Sequence, residues 1–401
     1  VVTGVGVVTS LGCDRDTFWA RLLAGTSGLG PVESFDTSAY SVHLGGEVRD
    51  FSFDDCEPGL DLAEVGRASA FAVVAARRAL ADAGIDAIDA RRAGVSAGTT
   101  SGEPREIEAF DDALLAGELA SIGPRLATRY PCHSIPATVA AALGFTGPNV
   151  MIPTACAAGS YAAANALDCL RAGQADLMLA GGSDSFSRIT YTGFARLGAI
   201  APEKCQPFDL NRRGMVPGEG AAMLVLERAE QALARGVPIY AEITGYGLSC
   251  DAHHMTGAHP EGDGAARAMR AALRDSGLGP EDVGYVSAHG TGTPSNDRTE
   301  TLALKSVFGE RAYDVPVSSI KSMLGHTMGA ASAIETVACA LALRDGRIPP
   351  TIDYETPDPD CDLDYVPNEA REVAIRVAMN NAYAFGGNNA SLILTRWEGQ
   401  A

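Results

Sequence analysis

"NVMIPTACAAGSYAAANALDCLRAG", residues 149–173, is the stretch whose reading decides the fold. An apolar run, 149–154, closes on Pro153 and Thr154. A lone Cys156 follows among Ala and Gly, and an Ala-rich segment then carries the chain to Gly173. The pattern predicts a buried strand, a sharp turn and a helix over 156–172 stopped by Gly173. Free N–H groups and the dipole at such a helix start favour an anion and lower a thiol pKa. Ala155, Ala157, Ala158 and Gly159 leave the sulfur uncrowded. The same setting also suits a cysteine that only packs, which is how most free cysteines are used.

Strand and helix patterns alternate outward from this point in both directions, the signature of an α/β chain. Strands are predicted over 1–6, 92–98, 149–154, 176–181, 222–228, 240–247, 284–288, 315–320, 373–379 and 391–395. Helices are predicted over 14–25, 62–84, 156–172, 229–235, 264–276, 297–308 and 328–345. Many strands are continuous apolar runs, as sheets covered on both faces require. The halves echo each other. Strand 149–154 leads to Cys156 and a helix ending at Gly173, and strand 315–320 leads to Lys321, His326 and a helix ending at Gly346. This divides the chain near Gly236–Pro238, into 1–237 and 238–401. Residues 99–148 have no counterpart of similar length and read as an inserted cap or contact surface. Residues 346–370, rich in Pro and Asp, read as a long surface connection.

With 401 residues, 46% of them hydrophobic, the chain can fill one large domain or two fused units. A net charge of −19 without a basic stripe excludes a nucleic-acid binder and argues against an anionic membrane surface. No apolar run is long enough to span a membrane, and the apolar start, VVTGVGVVTSLG, lacks the basic flank of a signal peptide. Nine cysteines, an odd number with no CxxC, argue against a disulfide framework or zinc ribbon and suit a reducing cytoplasm.

Three further stretches carry chemistry. In SAHGTGTPSNDRTE (287–300), His289 ends a strand before a Gly/Thr loop holding Thr291 and Thr293. Asp297 with Glu300 three residues later suits the start of helix 297–308. SSIKSMLGHTMGAAS (318–332) sets Lys321 and His326 between strand and helix, with Glu335 nine residues beyond His326. NNAYAFGGNNASLIL (380–394) has a Gly-Gly pair after Phe385 that permits tight backbone approach. The adjacent His253 and His254 lack spaced partner ligands, so no metal site is expected. No Gly-rich turn stands where a dinucleotide site needs one.

Together, VVTGVGVVTSLG, TACAAGS, PFDLNRRGMVPGEGAAMLVLE, HGTGTPSND, KSMLGHTMGAASAIE and AFGGNNASL resemble the motifs of elongating β-ketoacyl-acyl-carrier-protein synthases, over nearly the whole chain. The resemblance implies the thiolase-like α/β fold: five layers, αβαβα, built from two pseudo-equivalent halves, with the active site near their pseudo-twofold axis. It implies that Cys156 takes an acyl group from a phosphopantetheine arm as a thioester. The N–H groups of Cys156 and Phe385 would form an oxyanion hole. His289 and His326 would stabilise the enolate left by decarboxylation of a malonyl-carrier protein. Lys321, partnered by Glu335, would tune the histidines. Thr291 and Thr293 would hold the pantetheine arm, Phe385 would gate the acyl pocket, and Phe194 would lie near the acyl chain. No bound cofactor or metal is implied; the substrates arrive on acyl carrier protein.

The second histidine, in KSMLGH, separates this chain from initiating synthases, which use Cys-His-Asn, and from thiolases, which need a second cysteine near the C-terminus. Cys361 lies in the acidic segment, outside any such motif. A non-catalytic chain-length factor would lack Cys156, and a simple acyltransferase or hydrolase needs only one histidine base. NDRTET and TACAAGSYA are most similar to ketosynthase subunits of type II polyketide systems, including those that make reduced polyenes; a fatty-acid synthase II is the alternative. Arg213 stands where Asp is usual, Met215 where an aromatic is usual, and Gln206 where Arg is common. The helix from Ala63 offers only Arg67 in its first turns. Family members often dock the acidic carrier protein through basic side chains there, so part of that surface is expected from another subunit. The resemblance implies a dimer, either a homodimer or a heterodimer with a chain-length-factor-like partner.

Overall fold

The computed structural model describes residues 1–49, 51–52 and 65–399. Cys56, Ala63 and the expected helix start at 62 lie outside the described residues. In chain order the first half supplies β1 (Val2–Thr9), α1 (Arg15–Leu23), α2 (Arg67–Asp82), β2 (Ala93–Gly98), α3 (Pro104–Ala116), α4 (Arg125–Arg129) and α5 (Ser134–Leu143). It continues with β3 (Asn149–Ile152), α6 (Ala158–Arg171), β4 (Leu177–Asp184), α7 (Arg188–Arg196) and β5 (Gly220–Glu227). Helix α8 (Ala229–Arg235) closes the first half, and the second supplies β6 (Glu242–Cys250), α9 (Asp263–Ser276), β7 (Tyr285–Ser287), α10 (Pro294–Phe308) and β8 (Val317–Ser318). It ends with α11 (Lys321–Leu324), α12 (Ala331–Asp345), β9 (Val377–Tyr383) and β10 (Asn388–Thr395).

Two five-stranded sheets result, ordered β3-β2-β4-β5-β1 and β8-β7-β9-β10-β6. Counted along its own half, each sheet reads third, second, fourth, fifth, first. Pairing follows the same sequence in both: two parallel ladders, then two antiparallel ones. The echo read in the sequence is thus a repeated topology. Helices α6 and α12 pack on each other between the sheets, α2 and α5 cover the outside of the first, and α9 and α10 cover the outside of the second. These are the five layers. Helix α12 is buried from Ala331 to Leu343, which explains why apolar residues occupy every face of it, with Ser332, Glu335 and Thr336 buried among them. The central helices meet closely at Gly159, where a Cβ would lie 2.6 Å from Ala333 N.

Several expectations change. Helix α5 occupies in the first half the place that α10 takes in the second, so the extra material within 99–148 is the α3–α4 segment. The strand expected over 373–379 runs four residues later. Asn380 and Asn381 fall just past the expected strand, but Asn380 Nδ2 donates to Ser332 O and Thr336 Oγ1, and Ser391 Oγ donates to Asn381 Oδ1. Buried amides so partnered can stay within a sheet. Strand 315–320 shrinks to β8, because the chain turns into α11 at Lys321. The 346–370 segment is no surface strap: Cys361, Tyr365 and Val366 are buried in the core, and Asp358 pairs with buried Arg212. No helix among the described residues is long and apolar enough to cross a membrane.

Candidate active site

The two strand-to-helix crossings are built alike. A short 3-10 turn, Ala155–Ala157, precedes α6, and another, Met328–Ala330, precedes α12. Each opens on a non-glycine residue with positive φ, Ala155 at 51° and Met328 at 54°. Such backbone is strained for an L-residue and marks a segment held by its surroundings. Cys156 follows the first strained residue and Gly329 follows the second. A Cβ on Gly329 would lie 2.5 Å from Thr100 N, so that elbow has no room for a side chain.

Around Cys156 the structure gathers residues from both halves. The Cys156 sulfur and ring nitrogens of His289 and His326 all lie within 4.8 Å of one another. The two imidazoles stand edge to face, with centroids 5.5 Å apart. The N–H groups of Cys156 and Phe385 hydrogen-bond to the sulfur and favour its anion. The helix-start argument nevertheless fails on sign: burial pushes the Cys156 thiol up to about 11, outweighing those donors and the Lys321 charge. Removing a thiolate from water costs more than the local dipoles return. The thiol therefore carries its proton at neutral pH, and deprotonation must accompany attack.

Both histidines are buried, and their pKa values are held well below the usual 6.5, first by burial and then by Lys321. They are neutral imidazoles. Met328 N donates to His326 Nδ1 at 3.2 Å, which leaves the ring proton on Nε2. Among the described residues, His289 Nδ1 has no hydrogen-bond partner. Lys321 Nζ donates to Glu335, and both side chains are buried. Burial pushes the Glu335 carboxyl up to about 7, with Lys321 opposing that rise.

Asp297 and Glu300 do not cap a helix, as their spacing suggested. Helix α10 begins earlier, with Pro294 in its first turn and no side-chain cap. Glu300 instead accepts from His289 N and Gly290 N, both at 2.8 Å, and Asp297 accepts from Phe208 N and Gly292 N. Buried carboxylates thus hold the His289 loop through its backbone.

A cavity of about 280 Å³ opens over the cluster. Cys156, His289, His326, Thr291, Thr293, Phe194 and Phe385 all contribute to its wall. Thr291 Oγ1 and Thr293 Oγ1 share a hydrogen bond of 2.9 Å. The Phe194 and Phe385 rings lie 5.9 Å apart, and Phe385 is 43% exposed at the mouth. Gly386 and Gly387, at φ 84° and 79°, make the turn that aims the Phe385 N–H inward. Lys321 and Glu335 stand behind the histidines rather than in the wall. Sequence reasoning missed Tyr383, whose buried ring lies 5.6 Å from that of His289, and Asp184. Asp184 could have been flagged as a carboxylate ending the apolar strand LMLAGGSD.

Met215 lines the cavity, and Gln206 donates to Asp353 O. Arg67 is turned inward: it forks onto buried Glu219 at 2.9 and 2.8 Å.

Residues 1–232 match the family model of the β-ketoacyl synthase N-terminal domain, and 240–355 that of its C-terminal domain. The chain is 40% identical to 3-oxoacyl-[acyl-carrier-protein] synthase 2 of Synechocystis sp., covering 99% of this chain and 98% of that protein. Identity to the protein of the same name from Coxiella burnetii is 43%, with the same coverage. Among solved structures it is similar to the ishigamide ketosynthase/chain length factor, with a TM-score of 0.95, 44% identity and coverage of 99% and 98%. It is also similar to the AntDE:AntF complex, a type II polyketide ketosynthase with its acyl-carrier protein, with a TM-score of 0.90, 34% identity and 99% coverage of both chains. With its repeated topology and its cysteine elbow, the chain belongs to the β-ketoacyl synthase family, acyltransferase-class condensing enzymes of the thiolase superfamily.

Proposed function

We propose that the protein is the ketosynthase subunit of a type II polyketide system, extending an acyl chain by two carbons through decarboxylative Claisen condensation. The observation that carries this reading is the convergence of one thiol and two neutral imidazoles within 4.8 Å. The Cys156 sulfur attacks the thioester of an acyl-carrier protein as its proton is given up, the carbon–sulfur bond to phosphopantetheine breaks, and the proton ends on the departing pantetheine sulfur, which leaves as a thiol. Malonyl-carrier protein then enters, its pantetheine arm held by Thr291 and Thr293. Loss of CO2 leaves an enolate whose oxygen accepts hydrogen bonds from His289 and His326. The α-carbon attacks the acyl thioester, the N–H groups of Cys156 and Phe385 hold the oxyanion, and collapse returns the sulfur. Burial, and after it the charge of Lys321 held in place by Glu335, keep both imidazoles uncharged, and Phe385 with Phe194 guards the acyl pocket. The catalytic set draws on both halves, 1–237 and 238–401.

Partial reactions test these roles. Cys156→Ala should abolish self-acylation. His289→Ala or His326→Ala should keep acylation and suppress C–C bond formation; unchanged condensation in either would refute the assignment. Cys156→Gln should still decarboxylate malonyl-carrier protein.

The polyketide reading is supported by the 44% identity to the ishigamide ketosynthase/chain length factor. Fatty-acid elongation is the second reading, favoured by the curated synthase 2 relatives at 40% and 43% identity. A chain-length-factor-like partner fits the inward commitment of Arg67 and the −19 charge. Mass spectrometry of the acyl chain trapped on Cys156, with and without a co-purified partner, separates the pathways. Full condensation by the isolated chain would refute the need for a partner.

A further inference from the structure

Asp184 ends β4 in the first half, yet it also bonds to the second. Its buried carboxylate accepts four hydrogen bonds. Three come from the turn after β2: Thr99 Oγ1 at 2.8 Å, Thr100 N at 2.8 Å and Ser101 N at 3.0 Å. The fourth comes from Gly329 N at 2.7 Å. Gly329 is the counterpart of Cys156 in the second elbow. One elbow therefore presents a nucleophile whose own N–H faces the sulfur, where an oxyanion would form. The other presents no side chain, and its N–H is already filled by a carboxylate of the protein.

That carboxylate bears on His326 through Met328. The peptide before Met328 donates its N–H to His326 Nδ1, and the peptide after it donates its N–H to Asp184. Met328 joins the two at a strained φ of 54°. Rotation about that residue would break both bonds together. The backbone of His326 is pinned separately: its N donates to Val216 O at 2.7 Å, and Gly218 N donates to its O at 2.9 Å. What remains to be set is the imidazole, its tautomer and aim, and the Met328 N–H sets them. Charge-assisted bonds to a buried carboxylate are strong enough to hold a strained peptide in place.

The geometry points to Asp184 as a positioning residue for condensation: by clamping Gly329 it holds the Met328 elbow that keeps His326 in its Nε2-protonated, enolate-facing state. This rests on the role proposed above for His326. Asp184 is no part of the cavity wall, and its charge opposes the Cys156 thiolate, so its removal should not slow acylation of Cys156.

The test measures self-acylation and condensation separately in wild type, Asp184→Asn, His326→Ala and the double variant, with thermal melting as a check of folding. In Asp184→Asn, condensation should fall about tenfold to a hundredfold while acylation stays within about threefold. In the His326→Ala background the Asn substitution should cost no further condensation. Equal loss of both reactions, or a loss that persists without His326, would overturn the inference. If Asp184→Asn does not fold, Thr99→Val, which removes one of the four donors, should show the same split on a smaller scale; a uniform loss there overturns it equally. Condensation unharmed in His326→Ala would instead defeat the proposed function.

Discussion

Lys321 and Glu335 form an ion pair sealed within the protein, their side chains 2% and 1% exposed. Among the described residues, Glu335 Oε2 has no hydrogen-bond partner and Lys321 is the one cation paired with that carboxylate. Substituting Lys321→Met leaves Glu335 buried and unpaired. Its carboxyl, already pushed up to about 7, rises further and takes up a proton. Breaking a buried pair in this way costs about 3–5 kcal/mol. Glu335→Met strands the ammonium instead, at a similar cost. The double variant replaces both charges with thioethers beside Ile320, Leu324 and Ile334 and should recover most of the loss, since apolar pairs substitute well for buried ion pairs. Urea unfolding of the four proteins at one fixed concentration gives the coupling energy directly. Single losses that simply add, within about 0.5 kcal/mol, would refute the pairing argument. The same double variant separates stability from catalysis. Without the lysine charge, the pKa values of His289 and His326 rise. The lower pH limit of condensation should therefore move upward while the fold is intact.

Burial holds Glu300 at about 8 and Glu335 at about 7, both above their ordinary 4.5. Each binds its proton more tightly folded than unfolded, so its contribution to stability is complete below pH 4.5 and is lost as pH rises through those values. His289 and His326, held neutral, act in the opposite sense and cost stability as pH falls below 6.5. Urea midpoints should therefore decline from about pH 6.5 to about pH 8.5, less steeply in Glu300→Gln; an unaltered slope in that variant would contradict the assignment. Gly159→Ala would wedge a methyl against Ala333 N and Ser332 Oγ, forcing the central helices apart at a cost of about 1–3 kcal/mol; a variant as stable as wild type by urea unfolding would show the contact to be soft. Phe385→Ala removes the ring at the mouth but keeps the N–H that reaches the sulfur, so acylation rates should rise or hold; a loss like that of Cys156→Ala would show that the ring, and not the backbone, serves the cysteine.

Much of the site could be read before folding. Cys156 and His289 each stand just past a strand end beside Gly or Ala, and Lys321 and His326 follow within eight residues of β8, a pattern that short-range sequence carries. The repeat of strand, elbow and helix likewise announced two matching halves. Other features could not be read locally. Asn380 and Asn381 are polar, and only their partners on α12 and β10 make them strand residues. Asp297 and Glu300 have the spacing of a helix start, but the N–H groups they satisfy lie in the Phe208 turn and the His289 loop. The acidic 346–370 segment looked solvated until Asp358 met Arg212 and its apolar residues entered the core.

By itself the sequence singled out the candidate site residues, through their motifs and the family those motifs resemble, and the order in which strands and helices carry them, because periodicity, turn residues and motif spacing act over a few residues. The tertiary structure decided how those residues behave. It brought a first-half thiol within 4.8 Å of second-half imidazoles, raised that thiol's pKa where local reasoning lowered it, and kept the histidines neutral. It also filled the second elbow with Asp184. Each of these depends on exclusion of water and on contacts between segments far apart in the chain. Such properties arise only when the whole chain is packed, so no short stretch of it can encode them.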